Sequence, residues 1–480
     1  MKKVILYNPK VDFHSPDPFP FAVASIGSCL KFKGHQVKIV DARVDKDSDK
    51  KALDNLDDAI FFGITCMSGF PIKDSLRMAG LVRKKNPNIP LVWGGFHPNL
   101  WEDTIKHPLV DIIVRGQGEE TVVELTKALE KGASLNKILG ITFKKNGKII
   151  KNPSRPVRDI NELPPIDYEI VDDIKKYIKS DVNTRTLDYL SSRYCPHSCS
   201  FCCMANLFGR KWFAYSAKRV VNEIGYLVKR YKLNGIRFMD DNFFVDAERV
   251  EKICDGFIKH GIKIKWQANA RLDYIARYSD ELLLKISKAG FDEFCFGIES
   301  GNPEVLKKLK KELTVDQIFT AIEKLKRLNL KGGASLMMGL PYDTPNELSE
   351  MMDFLDRIHK INPDFKLFVF IYSPDPKTEL YKEVLKKGFK PPKTLEDWAN
   401  FNYRRGNTSW VSKKDMSVME TLVPLVEYRF CKRRITKTYQ RIGAKLLTWD
   451  AKLRWKYRFF NFPIEWRAYS YLLRKLEVKV

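Results

Sequence analysis

The 480-residue chain reads as an α/β protein built in two successive parts and closed by a helical tail. Three observations predict this. Up to about residue 140, five short apolar, β-branched runs alternate with helical patterns, the signature of a parallel, doubly wound, Rossmann-like sheet. From about 186 to 395, six more strand–helix repeats follow. Beyond 396 the strand pattern stops, and the composition turns helical, basic and aromatic.

Composition bounds the function classes. An apolar fraction of 44% with 30% charged residues is that of a soluble globular chain with ample core. No apolar run reaches the length of a membrane span. Met1-Lys2-Lys3 leads straight into a strand-like Val4-Ile5-Leu6-Tyr7, so no secretory leader is expected and a cytoplasmic location is. Nine cysteines in such a chain argue for metal chemistry rather than disulfides. The net charge of +25 predicts an anionic partner: nucleic acid, a membrane surface or an acidic substrate.

In the first part (1–140), strands are expected at Lys3–Asn8, Gln36–Val40, Ala59–Thr65, Leu91–Trp93 and Asp111–Arg115. Helices are expected at Ala22–Lys33, Ile72–Lys85 and Glu119–Glu130. Ligands of such sheets bind beyond the carboxyl ends of the strands. Those ends carry Thr65-Cys66-Met67-Ser68-Gly69, Gly94-Gly95-Phe96-His97-Pro98 and Gly116-Gln117-Gly118-Glu119. Glycines there let backbone approach a bulky ligand, or simply make tight turns. Residues 141–185 read as a hairpin about Asn146-Gly147 and a proline-rich linker through Pro153, Pro156, Pro164 and Pro165.

In the second part (186–395), strands are expected at Leu187–Ser192, Gly235–Met239, Lys263–Ala268, Glu293–Gly297, Gly333–Met338 and Lys366–Tyr372. The helices between them include Ala217–Tyr231, Ala247–His260, Asp280–Ala289, Val315–Leu328 and Pro345–Lys360. The first strand runs into Cys195-Pro196-His197-Ser198-Cys199-Ser200-Phe201-Cys202. Three thiolates at C-x3-C-x2-C spacing can fold around one metal centre. A cubane cluster normally takes four protein ligands, so three leave one iron open. Zinc is the competing reading, with Cys203 or His197 as a fourth ligand.

The cysteine loop, with Phe201 before its last cysteine, resembles that of the radical S-adenosylmethionine (SAM) enzymes. The six strand–helix repeats resemble their partial (β/α)6 barrel. The glycine-bearing strand ends of residues 1–140 resemble the cobalamin (B12)-binding domain of the B12-dependent branch, with Gln117 where that branch usually has Glu. The resemblance implies a [4Fe–4S] cluster on Cys195, Cys199 and Cys202, with SAM chelating the open iron. It implies SAM contacts from Asp240, Gln267, Arg271, Glu299 and Ser300 at the strand ends. It implies cobalamin contacts from Thr65, Cys66, Met67, Ser68, Gly94, Gly95, His97, Gly116, Gly118 and Glu119. His97 would bond a corrin amide or satisfy its own loop. Asp12-Phe13-His14-Ser15-Pro16-Asp17 is a near miss of the D-x-H-x-x-G cobalt-ligand motif, with Asp17 in place of Gly, so His14 is not expected as an obligatory ligand. Lys377 in Pro374-Asp375-Pro376-Lys377-Thr378 replaces a glycine of the branch.

The resemblance further implies an electron donor such as flavodoxin or ferredoxin and reductive cleavage of SAM to a 5′-deoxyadenosyl radical. Methyl transfer from methylcobalamin to an unactivated carbon would follow. Cyclisation or rearrangement without methylation, an RNA-modifying radical SAM enzyme and a non-catalytic sensor are the alternatives. Only Cys29 and Cys66 fall in residues 1–140, against the second cluster of RNA methylthiotransferases.

The tail (396–480) is strongly basic. Residues 401–480 hold 19 Lys and Arg against six Asp and Glu, a net +13. Arg454, Lys456, Arg458 and Arg467 alternate with Trp455, Tyr457, Phe459, Phe460 and Trp466. Such a segment suits peripheral contact with an anionic membrane, and hence a small-molecule or lipid substrate. RNA, and a helical cap packed on the barrel, are the other readings.

Overall fold

The structure, a computed structural model, describes residues 2–11, 18–342, 346–401, 408–431, 438–460, 463–466 and 468. It divides into two compact units. One comprises Met1–Lys179, Cys203–Ala214 and Pro391–Asn402; the other comprises Ser180–Cys202, Tyr215–Lys390 and Tyr403–Val480.

The first unit is built on a seven-stranded sheet. Its strands are β1 (Lys3–Asn8), β2 (Gln36–Asp41), β3 (Ala59–Thr65), β4 (Leu91–Gly94), β5 (Ile112–Val114), β6 (Ile141–Lys145) and β7 (Lys148–Lys151), in the order β2-β1-β3-β4-β5-β6-β7. The first five are parallel. They are short apolar runs because a parallel sheet is covered on both faces, here by the helices Phe21–Phe32, Phe70–Lys85 and Glu119–Glu130. The Asn146-Gly147 hairpin is more than a connector. Its strand β6 pairs antiparallel with β5, placing Ile141 opposite Val114. The linker is tied down as well: Tyr177 is buried and its hydroxyl donates to Asp41 at 2.9 Å.

The second unit is a six-stranded parallel sheet. Its strands are β8 (Thr186–Tyr189), β9 (Gly235–Phe238), β10 (Lys265–Ala270), β11 (Phe291–Glu299), β12 (Lys331–Met338) and β13 (Lys366–Ile371), in the order β13-β12-β11-β10-β9-β8. Each strand is the neighbour of the next in sequence, as in a barrel opened along one seam. Polar caps start the helices between them. Ser216, Asp246, Ser279 and Thr314 accept from the backbone amides of Arg219, Arg249, Leu282 and Gln317, each worth about 1 kcal/mol. Alternation assigns the two faces of the sheet. In β10, Trp266, Ala268 and Ala270 are buried, while Lys265 and Asn269 are exposed. Trp266 is fully buried and packs edge-on against Phe291, Phe238 and Phe257. The interior face is left for a ligand.

Candidate active site

The interior face encloses a cavity of about 530 Å³ that runs through the barrel to the carboxyl ends of the strands, within the usual range for small-molecule sites. The loop after β8 brings Cys195, Cys199 and Cys202 to its wall, joined by Asp241, Asn242, Asn269, Arg271, Glu299 and Lys311. The loop is anchored by its backbone. Ser200 N–H donates to Leu309 O at 2.9 Å, and Leu380 N–H donates to Ser200 O at 2.8 Å. The thiols share one wall but are not gathered into a finished coordination set. Among the described residues, no group of three or more His, Cys, Asp or Glu could hold a metal ion as it stands.

Polar groups surround the thiols. Asn242 Nδ2 lies 3.8 Å from Cys195 Sγ, and Arg271 Nη1 lies 3.9 Å from Cys199 Sγ. Arg271 is buried. Its Nε donates to Asp273 at 2.8 Å, and Nη2 donates to the carbonyls of Lys311 and Glu312. Burial works against its charge, but Asp273 outweighs burial and raises its pKa. His197 bridges Glu312 and Tyr274 at 2.6 Å each; burial, then the nearby Arg271, holds its pKa below the ordinary value. Burial pushes the Cys195 thiol up, so its thiolate needs a counter-charge to persist. Asp241 is also raised by burial, with its carboxylate accepting from Tyr194 N–H at 2.8 Å.

The expected SAM contacts separate into two groups. Arg271 and Glu299 line the cavity; Asp240, Gln267 and Ser300 do not. Asp240 is fully buried and accepts from Ser191 N–H and Oγ and from Ser192 Oγ at 2.5–2.7 Å. The cavity wall has Asp241 and Asn242 instead. Gln267 is paired with Asp292 at 3.4 Å, and Asn269, one inward position further along β10, reaches the cavity. Ser300 is buried and donates to Glu347. Glu299 sits at φ +73° and pairs with Lys311 at 2.8 Å. Gly297 makes this possible, because a Cβ there would meet Glu299 Oε1 at 2.1 Å. Lys311 and Asn269 were not singled out from the sequence. The period-two alternation of β10 was the available signal for Asn269; Lys311 comes from a loop with no pattern of its own.

In the first unit, the loops after β3, β4 and β5 are knitted together. Cys66 N–H donates to Gly94 O, and His97 N–H to Cys66 O, both at 2.9 Å. Ser68 Oγ meets His97 Nδ1 at 2.9 Å. Asn99 donates to Gly95 O and accepts from Gly116 N–H, at 2.7 and 2.6 Å, bridging the other two loops. Gly95 has φ +90°, and a Cβ there would stand 2.8 Å from Cys66 N and from Thr65 Oγ1. Gly116 also has a positive φ, +71°. Gly118 precedes the helix Glu119–Glu130, and buried Glu119 accepts from Ser25 Oγ at 2.6 Å. Cys66 is buried and bonded by Ser75, its thiol pushed up to about 12 by burial. Met67 stands out from the loop, 59% exposed, with Phe96 also exposed. His97 satisfies its own loop, yet its Nε2 is buried with no partner among the described residues. Burial lowers its pKa to about 3, so the ring is neutral. Trp398 packs edge-on against His97 with ring centroids 5.5 Å apart. His14 lies outside the described residues.

Two family profiles match the chain: the Radical SAM superfamily over residues 189–355 and the B12 binding domain over residues 14–126. An uncharacterized methyltransferase, PH0819, of Pyrococcus horikoshii is 30% identical over 371 residues, covering 76% of this chain and 78% of the relative. The chain belongs to the cobalamin-dependent radical SAM enzymes. The anaerobic magnesium-protoporphyrin IX monomethyl ester cyclase of Rubrivivax gelatinosus is 29% identical, covering 76% of this chain and 66% of the cyclase. The hopanoid C-3 methylase of Methylococcus capsulatus is 24% identical, covering 68% of this chain and 62% of the methylase. Among solved structures, the cobalamin-dependent radical SAM enzyme OxsB, with aqua-cobalamin and SAM bound, superposes with a TM-score of 0.73. It is 19% identical and covers all of this chain and 76% of OxsB. At that identity the likeness shows the fold.

As a cobalamin-dependent radical SAM enzyme, the chain takes a [4Fe–4S] cluster, SAM and cobalamin, and its residues fit these groups. The three thiols offer soft ligands on a short anchored loop. Arg271 and Asn242 stand where N–H donors can stabilise cluster sulfur or thiolate charge. Drawing the thiols together is coupled to cluster binding, since an ungathered site is completed by its metal. In the first unit, the glycine-bearing loops at the strand ends and the projecting, exposed Met67 and Phe96 fit the apolar face of a large flat ligand.

Proposed function

We propose that this enzyme methylates an unactivated carbon of a lipid or lipid-linked substrate, with methylcobalamin as the methyl donor. When bound, the cluster and SAM supply a hydrogen-abstracting radical, and cobalamin supplies the methyl group. The chain positions them. Cys195, Cys199 and Cys202 hold the cluster, and Arg271 and Asn242 brace two of those thiols. Asp241, Asn269 and Glu299 line the cavity where SAM polar groups would sit, with Glu299 held in place by Lys311. Thr65 to Ser68, Gly94 to His97 and Gly116 to Glu119 form the cobalamin cradle, and an electron donor such as flavodoxin or ferredoxin supplies reducing equivalents.

The observation that carries the methyl-transfer reading is the relation to PH0819, an uncharacterized methyltransferase whose length this chain largely spans. The hopanoid C-3 methylase supports a lipid-class substrate. Cyclisation without net methylation is the second reading, favoured by the magnesium-protoporphyrin cyclase relative. Anaerobically reconstituted enzyme, given SAM labelled with a trideuteromethyl group and a lipid extract of its host, tests the choice. Methyl transfer predicts a lipid product carrying the deuterated methyl. If 5′-deoxyadenosine forms and a product appears without label, cyclisation replaces methylation.

A further inference from the structure

The aromatic residues of the tail fall into two sets. One set packs within the tail and against the helix Glu347–Ile361. Trp455, Trp466, Tyr428 and Phe430 are buried. Phe430 meets Trp455 with centroids 5.0 Å apart, and Tyr428 meets Trp466 at 5.3 Å. Trp455 Nε1 donates to Asp356 at 2.8 Å, and Trp466 Nε1 to Asp450 at 2.7 Å. The cap reading is therefore right for these four, and Trp455 and Trp466 do not face outward. The other set is left outside. Leu446 is 64% exposed, Trp449 64%, Tyr457 67%, Phe459 47% and Ile464 71%.

The second set shares its surface with Lys445, Lys452 and Lys456, for which no ion pair is formed among the described residues. On the helix Thr438–Lys456, Lys445, Leu446, Trp449, Lys452 and Lys456 fall at helical spacing along one stripe and are exposed, while Ala451 and Trp455 are buried. The acids of this stretch are paired: Asp450 is held by Arg454 and Trp466, and Glu465 by Arg454. Arg458 is spent on Asp353 and Asp356, leaving the lysines as the cationic component. Arg467 lies outside the described residues.

We propose that this face, Leu446, Trp449, Tyr457, Phe459 and Ile464 with Lys445, Lys452 and Lys456, docks on an anionic phospholipid bilayer. Bulky apolar and indole side chains enter the interfacial layer, and lysines reach the head groups beside them. Charge complementarity selects this occupant, because the described exposed residues from 443 to 468 include lysines and no acid, and the exposed Asp353 nearby is neutralised by Arg458. Attachment is peripheral, since no described helix is long and apolar enough to cross a membrane. The proposal stands whether or not the substrate is a lipid.

Reconstituted full-length enzyme is sedimented with vesicles of pure phosphatidylcholine and of phosphatidylcholine with 30 mol % phosphatidylglycerol (about one anionic lipid in three), at low and high salt. Binding to the anionic vesicles is expected, weakened by salt and absent on pure phosphatidylcholine. Leu446→Ser with Trp449→Ser should lower the affinity about tenfold or more, as should Lys445→Gln, Lys452→Gln and Lys456→Gln together. Both variants should keep the wild-type melting temperature and 5′-deoxyadenosine formation. Wild type that ignores anionic vesicles, or variants that bind as well as wild type, overturns the proposal. So does a concentration-dependent dimer abolished by the Leu446/Trp449 pair without vesicle binding, which would make the face a self-association surface.

Discussion

Arg271 is committed before any ligand arrives, because Asp273 and two carbonyls take its donors. Replacing it with Gln removes its charged donors to Asp273 and to two carbonyls while Arg277 remains paired with Asp273, and should cost about 1.5 kcal/mol, measured by denaturant unfolding, and lower the iron retained after reconstitution. A pure SAM-contact role predicts unchanged iron content and stability. Cys203 immediately precedes the short helix Met204–Phe208 and does not line the cavity. Cys203→Ala should therefore keep full iron, whereas Cys202→Ala should lose the cluster absorbance. His97 gives a pH prediction. Its folded pKa of about 3 lies below the ordinary 6.5, so the unfolded chain takes the proton first as pH falls. Its contribution is fully present above pH 6.5 and is lost at up to about 1.4 kcal/mol per pH unit between 6.5 and 3. Chemical denaturation at pH 7 and 5.5 should show a shallower fall for His97→Asn than for wild type. At this scale spacing alone singled out the three cysteines, which all reach the cavity wall. The sequence was less legible where one residue of register decides. Asp240 and Asp241 are adjacent acids, and only the strand's pleat determines which enters the core.

The parallel strands were readable to within a few residues, because a strand covered on both faces is a continuous apolar run between turn residues. The hairpin was visible from Asn146-Gly147, but its role as the antiparallel edge of the first sheet depends on pairing with β5, which no local pattern announces. Residues 391–401 were harder still. They follow the barrel repeats yet belong to the first unit, where Trp398 packs on His97 and Trp101. Those partners are some 300 residues away in the chain, beyond the reach of periodicity. This element should brace the cobalamin loops. Trp398→Leu is expected to raise the dissociation constant for hydroxocobalamin severalfold in the spectrophotometric titration while iron content stays at the wild-type level. Gly95→Ala should act more strongly on the same titration. It forces a Cβ onto Cys66 N at a φ of +90°, a conformation costing at least about 2 kcal/mol for alanine. Equal cobalamin affinity in both variants would remove the cradle role from this pair of contacts.

Each unit owns its cofactor chemistry: the barrel carries the thiols and the cavity beside them, and the doubly wound sheet carries the glycine-bearing loops. The two parallel sheets were legible from the order of strand–helix repeats, whereas the placing of 203–214 and 391–402 with the first unit was not. Substrate identity was not, because it depends on a shape that side chains from many elements make together. The most direct measurement is cofactor stoichiometry after anaerobic reconstitution with iron, sulfide and hydroxocobalamin, followed by incubation with SAM and reductant. About four iron and one cobalamin per chain are expected, with 5′-deoxyadenosine formed. The triple variant Cys195→Ala, Cys199→Ala and Cys202→Ala should lose the iron and the 5′-deoxyadenosine yet retain the cobalamin. Wild type that binds no cobalamin, or a triple variant that still holds four iron and cleaves SAM, would contradict the assignment.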